Sequence, residues 1–238
     1  MNEIPVTPAP EPTPEPGSAS VFQIWTRALT KPSEFTYADL AASPRAKATT
    51  AYLWMFVAAL IQFFLSALVQ RQMMNNFQQY GLNLNQFGTR GGFGAILVGL
   101  ICVAPLLAAL STLMFAIVTA IMQWLARMFG GTGTYDQLAY VLAAIAAPLT
   151  ILGGILGLFS AIPYAGLCFG LLGFLVGLYI LVLQVMAIKG VNHMGWGGAL
   201  GAYFIPVLVI AFLCSCLFGI SIAALIPIIR QSVPGFPR

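Results

Sequence analysis

Five long apolar runs, separated by short polar stretches, dominate the hydrophobic pattern of the chain. They cover residues 51–69, 94–126, 139–161, 167–188 and 200–229. Each run is long enough to cross a hydrocarbon core of roughly 30 Å as a helix, and none alternates with period two as a barrel strand does. Because only backbones with closed hydrogen bonding are stable in lipid, the pattern predicts an all-α bundle of five transmembrane helices.

The second and fifth runs are longer than a simple span. Residues 94–126 would make a helix of about 50 Å, which must tilt, kink near Pro105 or protrude from the membrane. The fifth run is interrupted by Pro206 and Pro227. Polar residues then separate the first two runs, yet Met73, Met74, Phe77 and Tyr80 keep a helical stripe there, so the first helix can continue beyond the membrane.

Three segments flank or precede the membrane domain, which we place at residues 50–230. Residues 1–19 are rich in Pro and Glu and predict a disordered arm, and residues 231–238 form a short tail. Residues 20–49 predict an interfacial segment that begins with an amphipathic helix, capped by Ser20 and ended by Pro32. The apolar face of this helix suits either the bilayer interface or the protein's own helices.

Composition and charge exclude a water-soluble protein. Hydrophobic residues make up 60% of the chain and charged residues 7%, whereas a soluble domain carries about 25% charged residues. Nine of the sixteen charges precede Thr50, and the rest lie between or beyond the apolar runs. No cluster of Lys and Arg could follow a nucleic-acid backbone, so the basic excess is interpreted as membrane-flanking charge.

Side chains suited to catalysis or metal binding are scarce. His193 is the single histidine, and the carboxylates Glu34, Asp39 and Asp136 lie outside the apolar runs, so we predict no catalytic residue, metal or cofactor. The four cysteines lie within apolar runs and are expected to be inert packing residues: Cys102, Cys168, Cys214 and Cys216. Three glutamines within the runs could form an interhelical network or pair locally: Gln62, Gln123 and Gln184.

The glycine-rich segment Gly130–Thr134 has two interpretations. It resembles a phosphate cradle in glycine content, but it lacks the Lys-Ser/Thr pair of a P-loop. The alternative is a turn followed by a helix cap. Thr134 and Gln137 would then form a capping box, and the helix dipole would favour Asp136 in the first turn. We predict the turn and cap.

Glycines in the fourth run predict a helix-packing interface. Gly166, Gly170, Gly173 and Gly177 recur at spacings of four, three and four residues, so they share one helix face. Such a face lets a neighbouring backbone approach closely. The partner can be another helix of the bundle or a second copy of the chain.

Several of these features, in this order, resemble the Yip family of multi-spanning membrane proteins, named for interacting with Ypt/Rab GTPases. The resemblance begins with Trp25 and the segment Leu29–Phe35 before the first span. The glycine-rich turn leading to Ala139, Tyr140 and Pro148 follows, and then the glycine-rich fourth run and the segment Lys189–His193. One departure favours a prokaryotic branch: Asp39-Leu40 continues as Ala41-Ala42, where eukaryotic members have Asp-Leu-Tyr-Gly-Pro.

The resemblance implies five spans, a cytosolic N-terminus and, in eukaryotic members, roles in membrane traffic. We predict a non-catalytic scaffold that organises membrane or acts in trafficking by binding protein partners. The expected partners are the lipid bilayer, membrane or peripheral proteins and a second copy of the chain, and nucleic acid is excluded. The expected location is the cell membrane, or the Golgi or endoplasmic reticulum membrane in a eukaryote. A rival hypothesis is a permease-like protein for a small neutral solute or lipid, with a path lined by Gln and Gly. A polar cavity at mid-membrane would favour that rival.

Overall fold

The computed structural model describes residues 20–79, 102–160 and 165–232, with the backbone only at 68–79, 160, 165–167, 213 and 217–232. Within these ranges the chain forms seven helices and no strand, which confirms the predicted all-α class. In chain order they are α1 Val21–Thr30, α2 Glu34–Ala41, α3 Ala48–Gln79, α4 Ala104–Met128, α5 Tyr135–Ser160, α6 Ala165–Asn192 and α7 Trp196–Ser232.

Five of these helices are long and apolar enough to cross a membrane, as the five apolar runs predict. The candidate spans are Ala48–Ala67, Ala104–Met128, Tyr135–Phe159, Cys168–Asn192 and Trp196–Cys216. In α4, Pro105 occupies the first turn, where a missing backbone N–H costs nothing. Residues 94–101 of the long second run lie outside the described residues, as do the N-terminal arm at 1–19 and the end of the tail at 233–238.

The helices extend beyond the apolar runs at their ends. Arg127 lies in the last turn of α4, Asp136 in the first turn of α5 and Lys189 in the last turn of α6. Each charge complements the dipole of its helix end, so these terminal turns are favourable places for charged residues. The helix α3 continues beyond the first apolar run to Gln79, and α7 runs through both Pro206 and Pro227.

The centre of the bundle is α5. This helix contacts α3, α4 and α6 as well as the short helices α1 and α2. Eight consecutive residues, 138–145, are buried, so this part of α5 is covered on all sides rather than along one stripe. Its small residues Ala139, Ala143 and Ala144 allow the neighbouring helices to approach closely.

The two short helices before the first span pack on the bundle. Ser20 and Gln23 form a capping box at the start of α1, and Ser33 caps α2. The apolar face of α1 is buried at Ile24 and Ala28, against α5. The pre-membrane segment therefore docks on the protein's own helices through this face.

The cysteines do not occupy the packing positions expected from the apolar runs. All four are free and exposed on the surfaces of their helices. Burial inside the bundle is taken by smaller alanines and larger aliphatic residues instead.

Candidate functional site at one end of the bundle

Several of the residues that the sequence analysis singled out, among them Gln123, Thr134, Gln137 and His193, lie at one end of the bundle. At this end α3, α5 and α7 begin and α4 and α6 end; we call it the turn end. Two short turns close it, at residues 129–134 and 193–195. Each contains one residue with a left-handed backbone, Gly130 with φ of 86° and His193 with φ of 51°. These residues end α4 and α6 as C-terminal caps do.

A buried pair of side-chain amides ties the two turns together. The Gln123 amide nitrogen donates to the Gly133 carbonyl at 2.6 Å and to the Asn192 side-chain oxygen at 2.9 Å. The Asn192 side-chain nitrogen in turn donates to the Ile188 carbonyl at 3.2 Å. The backbone carbonyl of Asn192 accepts from the Thr132 N–H at 3.1 Å. Of the three glutamines in the apolar runs, Gln123 is the one that joins this set. Gln62 and Gln184 are half-buried elsewhere.

The glycine-rich turn is filled by the chain itself, so it is not shaped to cradle a phosphate. Backbone N–H groups in this turn are already bound: Gly131 donates to Ala126, Thr132 to Asn192 and Thr134 to the Gln137 side chain. A Cβ added at Gly133 would lie 2.7 Å from the Val191 carbonyl oxygen. A phosphate-binding loop needs free, converging N–H groups, whereas these glycines serve close packing against α6.

Thr134 and Gln137 bind each other reciprocally at the start of α5. The Thr134 N–H donates to the Gln137 side-chain oxygen at 3.0 Å, and the Gln137 N–H donates to the Thr134 hydroxyl at 3.4 Å. This is the geometry of a capping box, and it satisfies two backbone donors at the first turn of α5. Asp136 lies in the same turn.

The N-terminal hairpin, α1 and α2 with the turn between them, is fixed to the turn end by polar contacts. Glu34 at the start of α2 forms an ion pair with Lys189 near the end of α6. The Lys189 ammonium also lies 4.6 Å from the centre of the Trp196 ring, a cation–π distance. Gly190 faces the backbone of α2, and a Cβ there would lie 2.5 Å from the Glu34 carbonyl oxygen.

Tyrosines connect the hairpin internally and to α6. Tyr37 is fully buried, and its hydroxyl donates to the Ala28 carbonyl at 2.9 Å, which joins α2 to α1. Burial raises the pKa of Tyr37, and nearby Tyr179 raises the pKa further, so the hydroxyl stays neutral and remains a donor. Tyr179 itself donates to the Leu29 carbonyl in the last turn of α1.

Aromatic rings also attach the N-terminal hairpin to the bundle. Trp25 packs edge-on against Trp54 of α3 with 5.9 Å between ring centres, and Trp54 packs on Tyr140 of α5 at 5.0 Å. The segment before the first span, α5 and the end of α6 therefore meet at the turn end. These are the segments that carry the resemblance to the Yip family.

The four glycines predicted to form a helix-packing interface lie elsewhere, on α6 away from the turn end. A Cβ added at Gly170, Gly173 or Gly177 would meet no atom of the described residues within 4 Å. The side-chain surroundings of Gly166 lie outside the description. Within one chain, no described helix packs on the other three glycines. A contact between two copies is the alternative that stays a proposal.

Sequence reasoning missed the pairing of Gln123 with Asn192 and of Glu34 with Lys189. A polar residue within an apolar run marked Gln123, but nothing in the sequence identified its partner 69 positions away. Among residues 20–79, 102–160 and 165–232, no three His, Cys, Asp or Glu side chains come together as a metal site would require.

Comparison with protein families gives a match to the Yip1 domain over residues 26–218. This range includes α2 to α6 whole, with parts of α1 and α7. No curated protein and no solved structure compared with the chain is a match.

Proposed function

The chain belongs to the Yip1-domain family of multi-pass membrane proteins, and from this premise we propose that it is a non-catalytic scaffold that organises membrane. It would act by binding membrane or peripheral proteins at the turn end. The location we propose is the cell membrane, with the N-terminus and the turn end on the cytosolic side.

The observation that supports this proposal most directly is the set of polar contacts that join separate elements at the turn end. Side chains from α2, α4 and α6 bind one another or the backbone of another element there, through Glu34, Gln123, Lys189 and Asn192. A surface held in one shape costs little conformational entropy when a partner binds it. Arg127, Thr132, His193 and Trp196 are exposed on this surface, and Arg and Trp are enriched at protein interfaces.

The permease hypothesis has less support from the described residues. Gln123, one of the three glutamines offered for a polar path, is occupied by Gly133 and Asn192 at the turn end. The central helix α5 is surrounded by apolar packing over residues 138–145. A solute path would require polar groups that face an open passage through the middle of the bundle.

Photo-crosslinking in native membranes tests the scaffold proposal. A photoreactive amino acid is placed at Thr132 or His193 on the turn end, and at Leu110 or Leu208 as matched controls on exposed helix surfaces within the spans. We expect the turn-end positions to capture a protein of reproducible mass and the controls to capture lipid only. Protein capture confined to the controls, or the same captured proteins at all four positions, would contradict the proposal.

Uptake measurements test the permease hypothesis directly. Purified protein in sealed vesicles is supplied with small neutral solutes, with and without a proton or sodium gradient. We expect no gradient-driven accumulation, because no Asp, Glu, Lys, Arg or His lies within the five apolar runs. Protein-dependent solute entry, with or without a gradient, would favour the permease.

A further inference from the structure

The outward side of the N-terminal hairpin carries large apolar side chains that the bundle does not cover. Phe22 on α1 is 73% exposed and Phe35 on α2 is 79% exposed. Their neighbours Ile24, Ala28 and Tyr37 are buried against the bundle. The hairpin therefore has two apolar sides, one packed on protein and one that no other described residue covers at Phe22 and Phe35.

The hydrogen bond from Tyr179 to Leu29 shows how far along α6 the hairpin reaches. Tyr179 precedes the end of α6 at Asn192 by thirteen residues, about 20 Å along a helix. The candidate span Cys168–Asn192 has 25 residues, about 37 Å, against a hydrocarbon core of roughly 30 Å. Even if all the excess length projects at the turn end, the backbone of Tyr179 lies on the order of 10 Å within the apolar layer.

The surface around this contact is continuous with the lipid-facing side of α6. Leu178 and Val182, next to Tyr179 on the same helix, are about half exposed and lie within the candidate span. A hairpin that hydrogen-bonds at this level is beside lipid, not above it. Its outward phenylalanines therefore face the same surroundings as these α6 residues.

We propose that the N-terminal hairpin lies in the boundary between headgroups and acyl chains of one leaflet, with Phe22 and Phe35 inserted among the lipids beside α6. Its charges fit this depth. Arg27 and Asp39 form an ion pair of 2.7 Å between α1 and α2, which lowers the cost of placing either charge near lipid. Lys31 is exposed in the turn, and its long side chain can reach the headgroups.

The expected consequence is a bundle that is wider in one leaflet than in the other. The hairpin adds two helices to the turn-end leaflet only, because α1 and α2 do not cross the membrane. This inference concerns lipid contact and does not depend on the proposed partner binding at the turn end. Crosslinking at Thr132 and His193 can fail while the hairpin remains in the leaflet, and the converse also holds.

Nitroxide accessibility measures the depth of the hairpin. Single labels are introduced by Phe22→Cys and Phe35→Cys in a background whose four exposed cysteines are replaced by alanine. The protein is placed in vesicles of phosphatidylcholine and phosphatidylglycerol and exposed to oxygen or to a water-soluble nickel chelate. Phe212→Cys is the matched lipid control, because Phe212 is 69% exposed within the last span, and His193→Cys is the water control.

We expect the oxygen-to-nickel ratio at Phe22 and Phe35 to be severalfold above that at His193 and to approach that at Phe212. A ratio equal to that at His193 at either position would overturn the proposal. Low accessibility to both reagents would overturn it as well, since a protein partner rather than lipid would then cover the hairpin.

Hydroxyl-radical footprinting of the unmodified protein guards against misfolding of the labelled variants. In vesicles, Phe22 and Phe35 are expected to be protected from oxidation as strongly as Phe212, relative to the unfolded chain. Oxidation of Phe22 or Phe35 at the rate of the unfolded chain would contradict insertion, whatever the labelled variants show.

Discussion

At the scale of the residue, glycines of one helix have different surroundings. Gly190 lies against the backbone of α2, whereas Gly173, on the same helix, has open space where a side chain would be. The first glycine is needed because another chain segment occupies the volume of its missing Cβ. The second has no such neighbour among the described residues.

Gly190→Ala should weaken the attachment of the N-terminal hairpin. The new Cβ would lie 2.5 Å from the Glu34 carbonyl oxygen, so the backbone of α2 must move. We expect a loss of about 1–3 kcal/mol of unfolding free energy, as for other overpacked sites. The control Gly173→Ala has no such contact and should be neutral or stabilising by about 0.5–1 kcal/mol through helix propensity. Unfolding in detergent that is equal for both variants would show that the contact is not tight.

The amide pair Gln123 and Asn192 should behave as one unit. Asn192→Leu leaves part of a buried Gln123 amide without a partner, at a cost of about 1–3 kcal/mol. Gln123→Met removes the other partner and should cost a similar amount. In the double variant neither amide remains to be left without its partner. Its loss of unfolding free energy should therefore be smaller than the sum of the two single losses. Strictly additive losses in denaturant titrations would mean that the two amides are not coupled.

At the scale of the element, the spans could be predicted from the sequence but their partners could not. An apolar run predicts a transmembrane helix because a backbone in lipid must satisfy its own hydrogen bonds. The end of an apolar run does not predict the end of the helix. Arg127, Asp136 and Lys189 lie outside the apolar runs but within terminal helical turns, where the helix dipole favours their charges.

The contacts of the N-terminal hairpin with the bundle could not be predicted from the sequence, because they arise from tertiary packing. The hydrogen bond between Leu29 and Tyr179 joins residues 150 positions apart, and no local pattern encodes such a pair. The helix α2 was not predicted, although the capping residue Ser33 and the first-turn acid Glu34 are start signals for a helix. Its apolar residues lie on more than one side of the helix, since Phe35 is exposed whereas Tyr37, Leu40 and Ala41 are buried, so no single apolar face stands out in the sequence.

The glycine face of α6 remains a predicted interface, and its partner must lie outside the described residues. We expect Gly173→Leu to leave the unfolding temperature of the monomer unchanged, because the new side chain enters open space. If two copies pack through this face, the same change should shift the protein in detergent from dimer or higher oligomer to monomer. Leu172→Ala, at a neighbouring exposed position, serves as the control. Equal oligomer size for parent and Gly173→Leu would exclude the face as an interface between copies.

At the scale of the whole molecule, the order of weak motifs carried more information than any one of them. Trp25, the glycine-rich turn and the segment ending at His193 are remote in sequence, yet α1, α5 and α6 bring their surroundings to the turn end. Their order identified the Yip family, which the match over residues 26–218 confirms. The protein partner could not be predicted, because the exposed residues of the turn end encode no self-evident ligand chemistry.

The distribution of basic residues predicts the orientation of the bundle in the membrane. Six basic residues lie at or before the turn end, namely Arg27, Lys31, Arg45, Lys47, Arg127 and Lys189. The other four are Arg71 on α3, Arg90 between the first two apolar runs, Arg230 on α7 and Arg238 in the tail. Because basic residues favour the cytosolic side and those before the first span carry the most weight, we expect the turn end to be cytosolic.

Five spans place the two ends of the chain on opposite sides of the membrane, and thiol labelling tests both statements. Single cysteines at Ser18 and Gln231, in a background without the four native cysteines, are exposed to a membrane-impermeant reagent in intact cells or sealed vesicles of known orientation. Ser18→Cys should react only from the cytosolic side and Gln231→Cys only from the other side. Reaction of both from one side would contradict the odd number of spans. An exchanged pattern would keep the five spans and reverse the orientation, and the partner surface would then have to be sought outside the cytosol.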